Sequence, residues 1–156
     1  HGVDEHRVVV GNGSDEIIDL LIRILAIPGA HNIVCFNPCF SIYPIQGRIC
    51  GVEIRRQPLE EDFSFNFAAL LELVDANTRI VLVTTPDNPS GFCPPRAAVE
   101  ALARDLAQKA PDCLLVVDEA YVDFAEDEKA ASLRRKAVAG SADRHGFPAA
   151  LPRLRP

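Results

Sequence analysis

Arg79-Ile80-Val81-Leu82-Val83-Thr84, running straight into Thr85-Pro86-Asp87-Asn88-Pro89-Ser90-Gly91, is the stretch on which the fold turns. Its apolar residues are consecutive rather than alternating, so the first half reads as a strand covered on both faces, as in a parallel sheet. The prolines, asparagine and glycine that follow cannot continue it. Downstream, Pro94-Pro95 opens a helix through Lys109 with Val99, Leu102, Ala103 and Leu106 on one face, and Pro111 stops it. Cys113-Leu114-Leu115-Val116-Val117 is a second strand, which delivers Asp118 at its carboxyl end. Upstream, Asn66 caps a helix carrying Phe67, Leu70, Leu71 and Val74, behind the acidic loop Glu60-Glu61-Asp62. Residues 51–56 read as a strand, 40–49 as a helix entered by Ser41, Asn37-Pro38 as a turn and 32–36 as a short buried strand. Ser14 and Asp15 open the first helix, whose Ile17, Ile18, Leu21, Ile22 and Leu25 recur at helical spacing before Pro28-Gly29 ends it. Strands alternating with helices predict an α/β fold, an α/β/α sandwich around a mostly parallel sheet.

At 156 residues and 48% hydrophobic content the chain suits one core. Sixteen basic against 22 acidic residues leave a net charge of −6, which speaks against nucleic acid or an anionic membrane as partner. The charge is uneven. Residues 134–156 hold six basic residues, one acid and three prolines, so residues 1–133 are expected to form the domain and 134–156 a basic tail, disordered or loosely attached. The five cysteines, Cys35, Cys39, Cys50, Cys93 and Cys113, form no C-x-x-C pair and lie largely in apolar runs. They read as buried thiols of a reducing compartment, with neither a disulfide framework nor a metal site. No apolar run reaches the roughly 20 residues of a membrane span, and His1-Gly2-Val3-Asp4-Glu5-His6 is not a signal peptide, so a cytoplasmic location is expected.

Three clusters fall where an α/β sheet holds ligands, at strand carboxyl ends and the helix amino ends beyond them. In Gly11-Asn12-Gly13-Ser14-Asp15-Glu16, the helix start offers free N–H groups and a positive dipole end to a phosphate. A glycine turn capped by Ser14 or Asp15 explains the same residues. In the loop after residue 84, two prolines brace Asn88, whose amide could orient a polar ligand group or simply bond its own backbone. In Val116-Val117-Asp118-Glu119-Ala120-Tyr121, a carboxylate follows a buried strand and needs a cation or hydrogen bonds to stay ionised; capping a helical turn is its other role. A dinucleotide site is disfavoured, because Gly11-Asn12-Gly13 is not G-x-G-x-x-G.

Taken in order, G-N-G-S-D-E, N-P-C-F-S-I-Y, T-P-D-N-P-S-G and V-V-D-E-A-Y-V-D-F resemble the successive motifs of fold-type-I pyridoxal-phosphate aminotransferases, in their histidinol-phosphate branch, from about residue 8 to residue 124. The resemblance implies part of the aminotransferase large domain, a family homodimer, and amino transfer between histidinol phosphate and 2-oxoglutarate in histidine biosynthesis. It implies that Ser14 and Asp15 seat the cofactor phosphate through backbone N–H groups. Phe40 then stacks on the pyridine ring, where family members commonly carry tyrosine. Asn88 and Tyr121 reach the phenolic oxygen, and Asp118 pairs with the pyridinium nitrogen. Phe36 and Phe124 are expected in the core, and His1, His6, His31 and His145 in surface or turn roles.

The family's Schiff-base lysine follows a serine well beyond D-E-A-Y, ahead of a glycine-rich stretch and a phosphate-binding arginine. Lys129 and Lys136 fit neither that context nor that spacing. The expectation is therefore a chain truncated before the catalytic lysine, its end read in a shifted frame, without covalent cofactor and inactive alone. Its alternative is a non-catalytic piece that binds a phosphate-bearing ligand or associates with another subunit.

Overall fold

A computed structural model describes residues 8–127 and 132–133. The chain runs α1 (Ser14–Leu25), β1 (Asn32–Asn37), α2 (Ile42–Ile49), β2 (Glu53–Pro58), α3 (Phe67–Glu72), β3 (Thr78–Thr84), α4 (Arg96–Lys109) and β4 (Leu114–Asp118), then a single 3-10 turn, Val122–Phe124. The four strands pair in parallel in the order β2-β1-β3-β4. The α/β/α sandwich expected from the strand and helix alternation is what forms.

Side chains alternate across the sheet, and the alternation sorts the core into two layers. Ile33 and Cys35 of β1, Ile80 and Leu82 of β3 and Val116 of β4 face α1 and α2, meeting Ile17, Ile18, Ile22 and Tyr43. Val34, Phe36, Val81, Val83, Leu115 and Val117 face the other way, toward Leu70 of α3 and Val99, Leu102 and Leu106 of α4. Phe36 is buried as expected and stacks on Phe65, ring centroids 4.2 Å apart.

The amino edge of the sheet is closed by a polar knot. Thr78 donates to Asn32 at 2.8 Å, Asn32 donates to Asp75 at 3.0 Å, and Arg55 donates to Asp75 at 2.7 Å and to the Leu73 carbonyl at 3.0 Å. Bonds from Arg55 and then Asn32 hold the Asp75 carboxyl well below the usual carboxylate range.

The structure moves several expected boundaries. The helix expected from residue 40 begins at Ile42, with Ser41 at its cap position and Phe40 outside it. The strand expected over 51–56 is Glu53–Pro58, because Gly51 (φ 67) is spent on ending α2: Gly51 N–H donates to the Arg48 carbonyl and Val52 N–H to the Gly47 carbonyl, a Schellman ending. At α1 the cap residue is Gly13 rather than Ser14 or Asp15, and Asn12 N–H is taken by the Glu16 carboxylate. Asn66 caps α3 as expected, accepting from Ala69 N–H at 2.9 Å. Phe124, expected in the core, is 81% exposed on the 3-10 turn, and Cys93, expected buried, is exposed in the loop before α4. The basic tail expected over 134–156 lies outside the described residues.

Candidate functional site

The strand order decides where a ligand can sit. From β1 the chain goes to β2 on one side, then crosses back over β1 to place β3 on the other, so the loops leaving β1 and β3 diverge to opposite faces. Such a topological switch opens a crevice at the carboxyl ends of the strands. Its walls here are residues 37–41, entering α2, and residues 84–91, leading to α4. At its base α1 is tied by a bond from Gly29 N–H to the Gly51 carbonyl, at the amino end of β2. Its Ser14 end therefore runs toward the carboxyl edge, on the face shared with α2.

Asp118 is the last residue of β4 and only 4% exposed. Following the alternation of Val116 and Val117, its side chain turns to the α1/α2 face. One carboxylate oxygen accepts from Ala120 N–H at 3.0 Å, the other from the Tyr43 hydroxyl at 2.9 Å. Among the described residues no lysine, arginine or histidine forms an ion pair with it. A buried carboxylate held by two donors and lacking a counter-charge is an arrangement suited to receiving a cation.

Thr84 is the partner of Asp118 in the β3–β4 register, and Thr85 N–H closes on the Asp118 carbonyl at 2.9 Å. The Thr84 hydroxyl lies 2.8 Å from that of Tyr43. Tyr43 is 1% exposed, and Phe40 meets its ring edge-on at 5.7 Å between centroids. The structure thus brings Phe40 and Asp118 together through Tyr43, a residue to which the sequence reading assigned no role. A polar-tipped aromatic on the apolar stripe of α2 was the available signal.

In the loop after β3, the turn role that was one reading of Asn88 falls to its neighbour. The turn is built by Asp87: its carboxylate accepts from Ser90 N–H at 3.2 Å and the Ser90 hydroxyl at 2.5 Å, and its backbone pairs with Gly91 and Phe92. The half-buried Asn88 side chain forms no hydrogen bond within the described residues. Ser14 is half-buried and Asp15 exposed in the first turn of α1. Tyr121 is 42% exposed beside Phe124, and the intervening Ala120 N–H joins that segment to the Asp118 carboxylate. The neighbouring Glu119 is buried and ties down residues 132–133, accepting from Ser132 at 2.9 Å and Leu133 N–H at 2.6 Å. His31 has the turn role expected, accepting from Ile27 N–H at 3.0 Å. Lys129, Lys136, His1, His6 and His145 lie outside the described residues.

The sequence matches the model of the family described as aminotransferase class I and II over residues 2–146. This chain belongs to that family. Histidinol-phosphate aminotransferase of Nitratidesulfovibrio vulgaris (strain DP4) is 59% identical to this chain over 133 residues, which is 85% of the chain and 35% of that relative. The chain thus spans about a third of the length of the curated relatives it matches. Among solved structures, the histidinol-phosphate aminotransferase of Clostridium acetobutylicum superimposes with a TM-score of 0.71 at 22% identity, covering 84% of this chain and 36% of that one. Cystalysin of Treponema denticola, whose structure contains a pyridoxal 5'-phosphate cofactor, gives 0.70 at 17% identity over 78% of this chain and 31% of its own. The fold is therefore that of the aminotransferase large domain.

Proposed function

We propose that this chain forms the cofactor-holding part of a pyridoxal 5'-phosphate-dependent aminotransferase that moves an amino group between histidinol phosphate and 2-oxoglutarate in histidine biosynthesis. The observation that carries the reading is Asp118: a buried carboxylate at the end of β4, fixed by two donors and, among the described residues, paired with no cation. The donor set fits the cofactor. Asp118 would hold the proton on the pyridine nitrogen, as an anion stabilises a neighbouring cation. Asn88, with its amide unspent, would donate to the phenolic oxygen, and Tyr121 would reach the same atom from the segment after β4. Phe40 would cover one ring face, without the hydroxyl of a tyrosine. The first N–H groups of α1, at Ser14 and Asp15, would take the phosphate, aided by the positive end of a 12-residue helix. When bound, the cofactor supplies an electron sink for loss of the substrate α-proton.

Support for the branch comes from the 59% identity to the Nitratidesulfovibrio relative. The family homodimer and a cytoplasmic location are carried with this reading. No helix among the described residues is long and apolar enough to cross a membrane.

The test is equilibrium binding of pyridoxal 5'-phosphate to the full chain, followed by absorbance and by retention through dialysis. Saturable binding is expected, weakened at least about tenfold by Asp118→Asn, the scale of a lost bond between charged groups. Asn88→Ala should weaken it about fivefold, as one neutral bond would. Wild-type affinity in both variants would remove the basis of the assignment.

A further inference from the structure

Tyr43 belongs to none of the roles above, and its surroundings are too specific for core filling. Its ring is packed against Phe40 and the α1/α2 core layer, so it could have been a phenylalanine at no cost in packing. Instead it places a hydroxyl in a nearly solvent-free position between two strand ends, 2.8 Å from Thr84 and 2.9 Å from Asp118.

The direction of these bonds follows from counting protons. Asp118 can only accept, so the single phenolic proton goes to its carboxylate, and the Thr84 hydroxyl must be the donor to the Tyr43 oxygen. The result is a directed chain, Thr84 to Tyr43 to Asp118, in which each bond polarises the next. Burial, and then the Asp118 charge, hold the Tyr43 phenol well above the usual tyrosine range, so it remains a donor wherever the chain is folded.

We propose that Tyr43 is a positioning residue for Asp118: its hydroxyl fixes the carboxylate rotamer, so that the charge faces the nitrogen of a bound pyridine ring and the ring keeps its proton there. This rests on the reading of Asp118 given above. With Ala120 N–H holding one oxygen and Tyr43 the other, the carboxylate plane is set from both ends. Without the hydroxyl, one oxygen loses its donor in a site that water hardly reaches. The carboxylate is then freer to turn away from the nitrogen, and its hold on the ring proton weakens as it turns.

The experiment uses the full chain and pyridoxamine 5'-phosphate labelled with 15N in the ring, a probe that needs no lysine. Its affinity and its 15N chemical shift at neutral pH are read for the unsubstituted chain, Tyr43→Phe and Asp118→Asn, with far-ultraviolet circular dichroism as the check on folding. The unsubstituted chain should show a protonated ring nitrogen and Asp118→Asn an unprotonated one. Tyr43→Phe should lie between, with affinity lowered about tenfold, the scale of a bond to a charged group. Loss of the signal in Asp118→Asn with an unchanged shift and affinity in Tyr43→Phe overturns the role of Tyr43 and leaves the cofactor reading intact. An Asp118→Asn variant indistinguishable from the unsubstituted chain, or an unsubstituted chain that does not bind the probe, overturns both. Should Tyr43→Phe fail to fold, Thr84→Val, which removes the hydroxyl feeding Tyr43, must move the shift in the same direction; an unchanged shift there overturns the proposal.

Discussion

Gly47 lies one helical turn beyond Tyr43, on the face of α2 that meets the sheet, and it is buried. Substituting alanine sets two effects against each other. Alanine favours the helix by about 0.5–1 kcal/mol over glycine. Against that, a Cβ at Gly47 would lie 1.9 Å from Ile54 Cδ1, 3.0 Å from Ile54 Cγ1 and 3.3 Å from Ile33 Cδ1. The Ile54 methyl can swing away, since that residue is only half-buried, but Ile33 is fully buried in the centre of the sheet and cannot. Overpacking of this kind costs about 1–3 kcal/mol. The clash wins, and Gly47→Ala should lose about 1 kcal/mol. In urea unfolding that is a midpoint lower by roughly 0.5 M at a slope of about 2 kcal/mol per molar. Because the strain is relieved by lifting α2, the Tyr43–Asp118 bond should lengthen and binding of the pyridine probe weaken with it. The decisive control is Ile33→Val, which deletes the Cδ1 that cannot move. In that background Gly47→Ala should be neutral or stabilising, a coupling of about 1 kcal/mol. If Gly47→Ala stabilises the parent chain, or if the two substitutions add within about 0.5 kcal/mol, the packing argument is wrong.

Two further outcomes follow from the polar ends of the sheet layers. Asn66→Ala, which removes the cap on the six-residue α3, should cost about 1 kcal/mol in the same urea assay, and no loss would mean the 2.9 Å bond to Ala69 N–H contributes nothing. Asp75, depressed below the ordinary carboxylate range by Arg55 and Asn32, stabilises the fold above its unfolded value of about 3.9 and loses that contribution as pH falls through the lower folded value. Asp75→Asn should therefore be less stable than the parent by about 1 kcal/mol at neutral pH, discounted because the side chain is 42% exposed, and the gap should narrow below about pH 4. A gap that stays constant from pH 7 to pH 3 would contradict the sign.

Much of the fold was legible because its signals are local. Every strand and helix was found within a few residues, since a buried strand such as β3 needs an unbroken apolar run and α1 needs its stripe of isoleucines and leucines. Errors sit where the backbone, not the pattern, decides. Gly51 was read as the start of a strand because its positive φ is invisible in one letter of sequence, and the strand waits until Glu53. Phe124 was placed in the core on its chemistry alone, yet a three-residue 3-10 turn gives it no second layer to enter. Asn88 was balanced between turn former and ligand group; the turn itself is built by its neighbour Asp87, whose carboxylate accepts from Ser90.

The site itself was legible as residue types but not as an arrangement, and Tyr43 shows why. Tyr43 and Asp118 are 75 residues apart, and nothing in the local pattern joins them. What joins them is register. Thr84 pairs with Asp118 across β3 and β4, and both point toward α2 because Leu82 and Val116 do so two residues earlier. Sliding β4 by one residue would turn Asp118 to the α3/α4 side and carry Val117 to the wrong layer at the same time. The carboxylate is therefore aimed by the two apolar layers that sandwich the sheet. Its chemistry is tied to the burial of residues such as Val81, Val83 and Val117, which face the opposite layer.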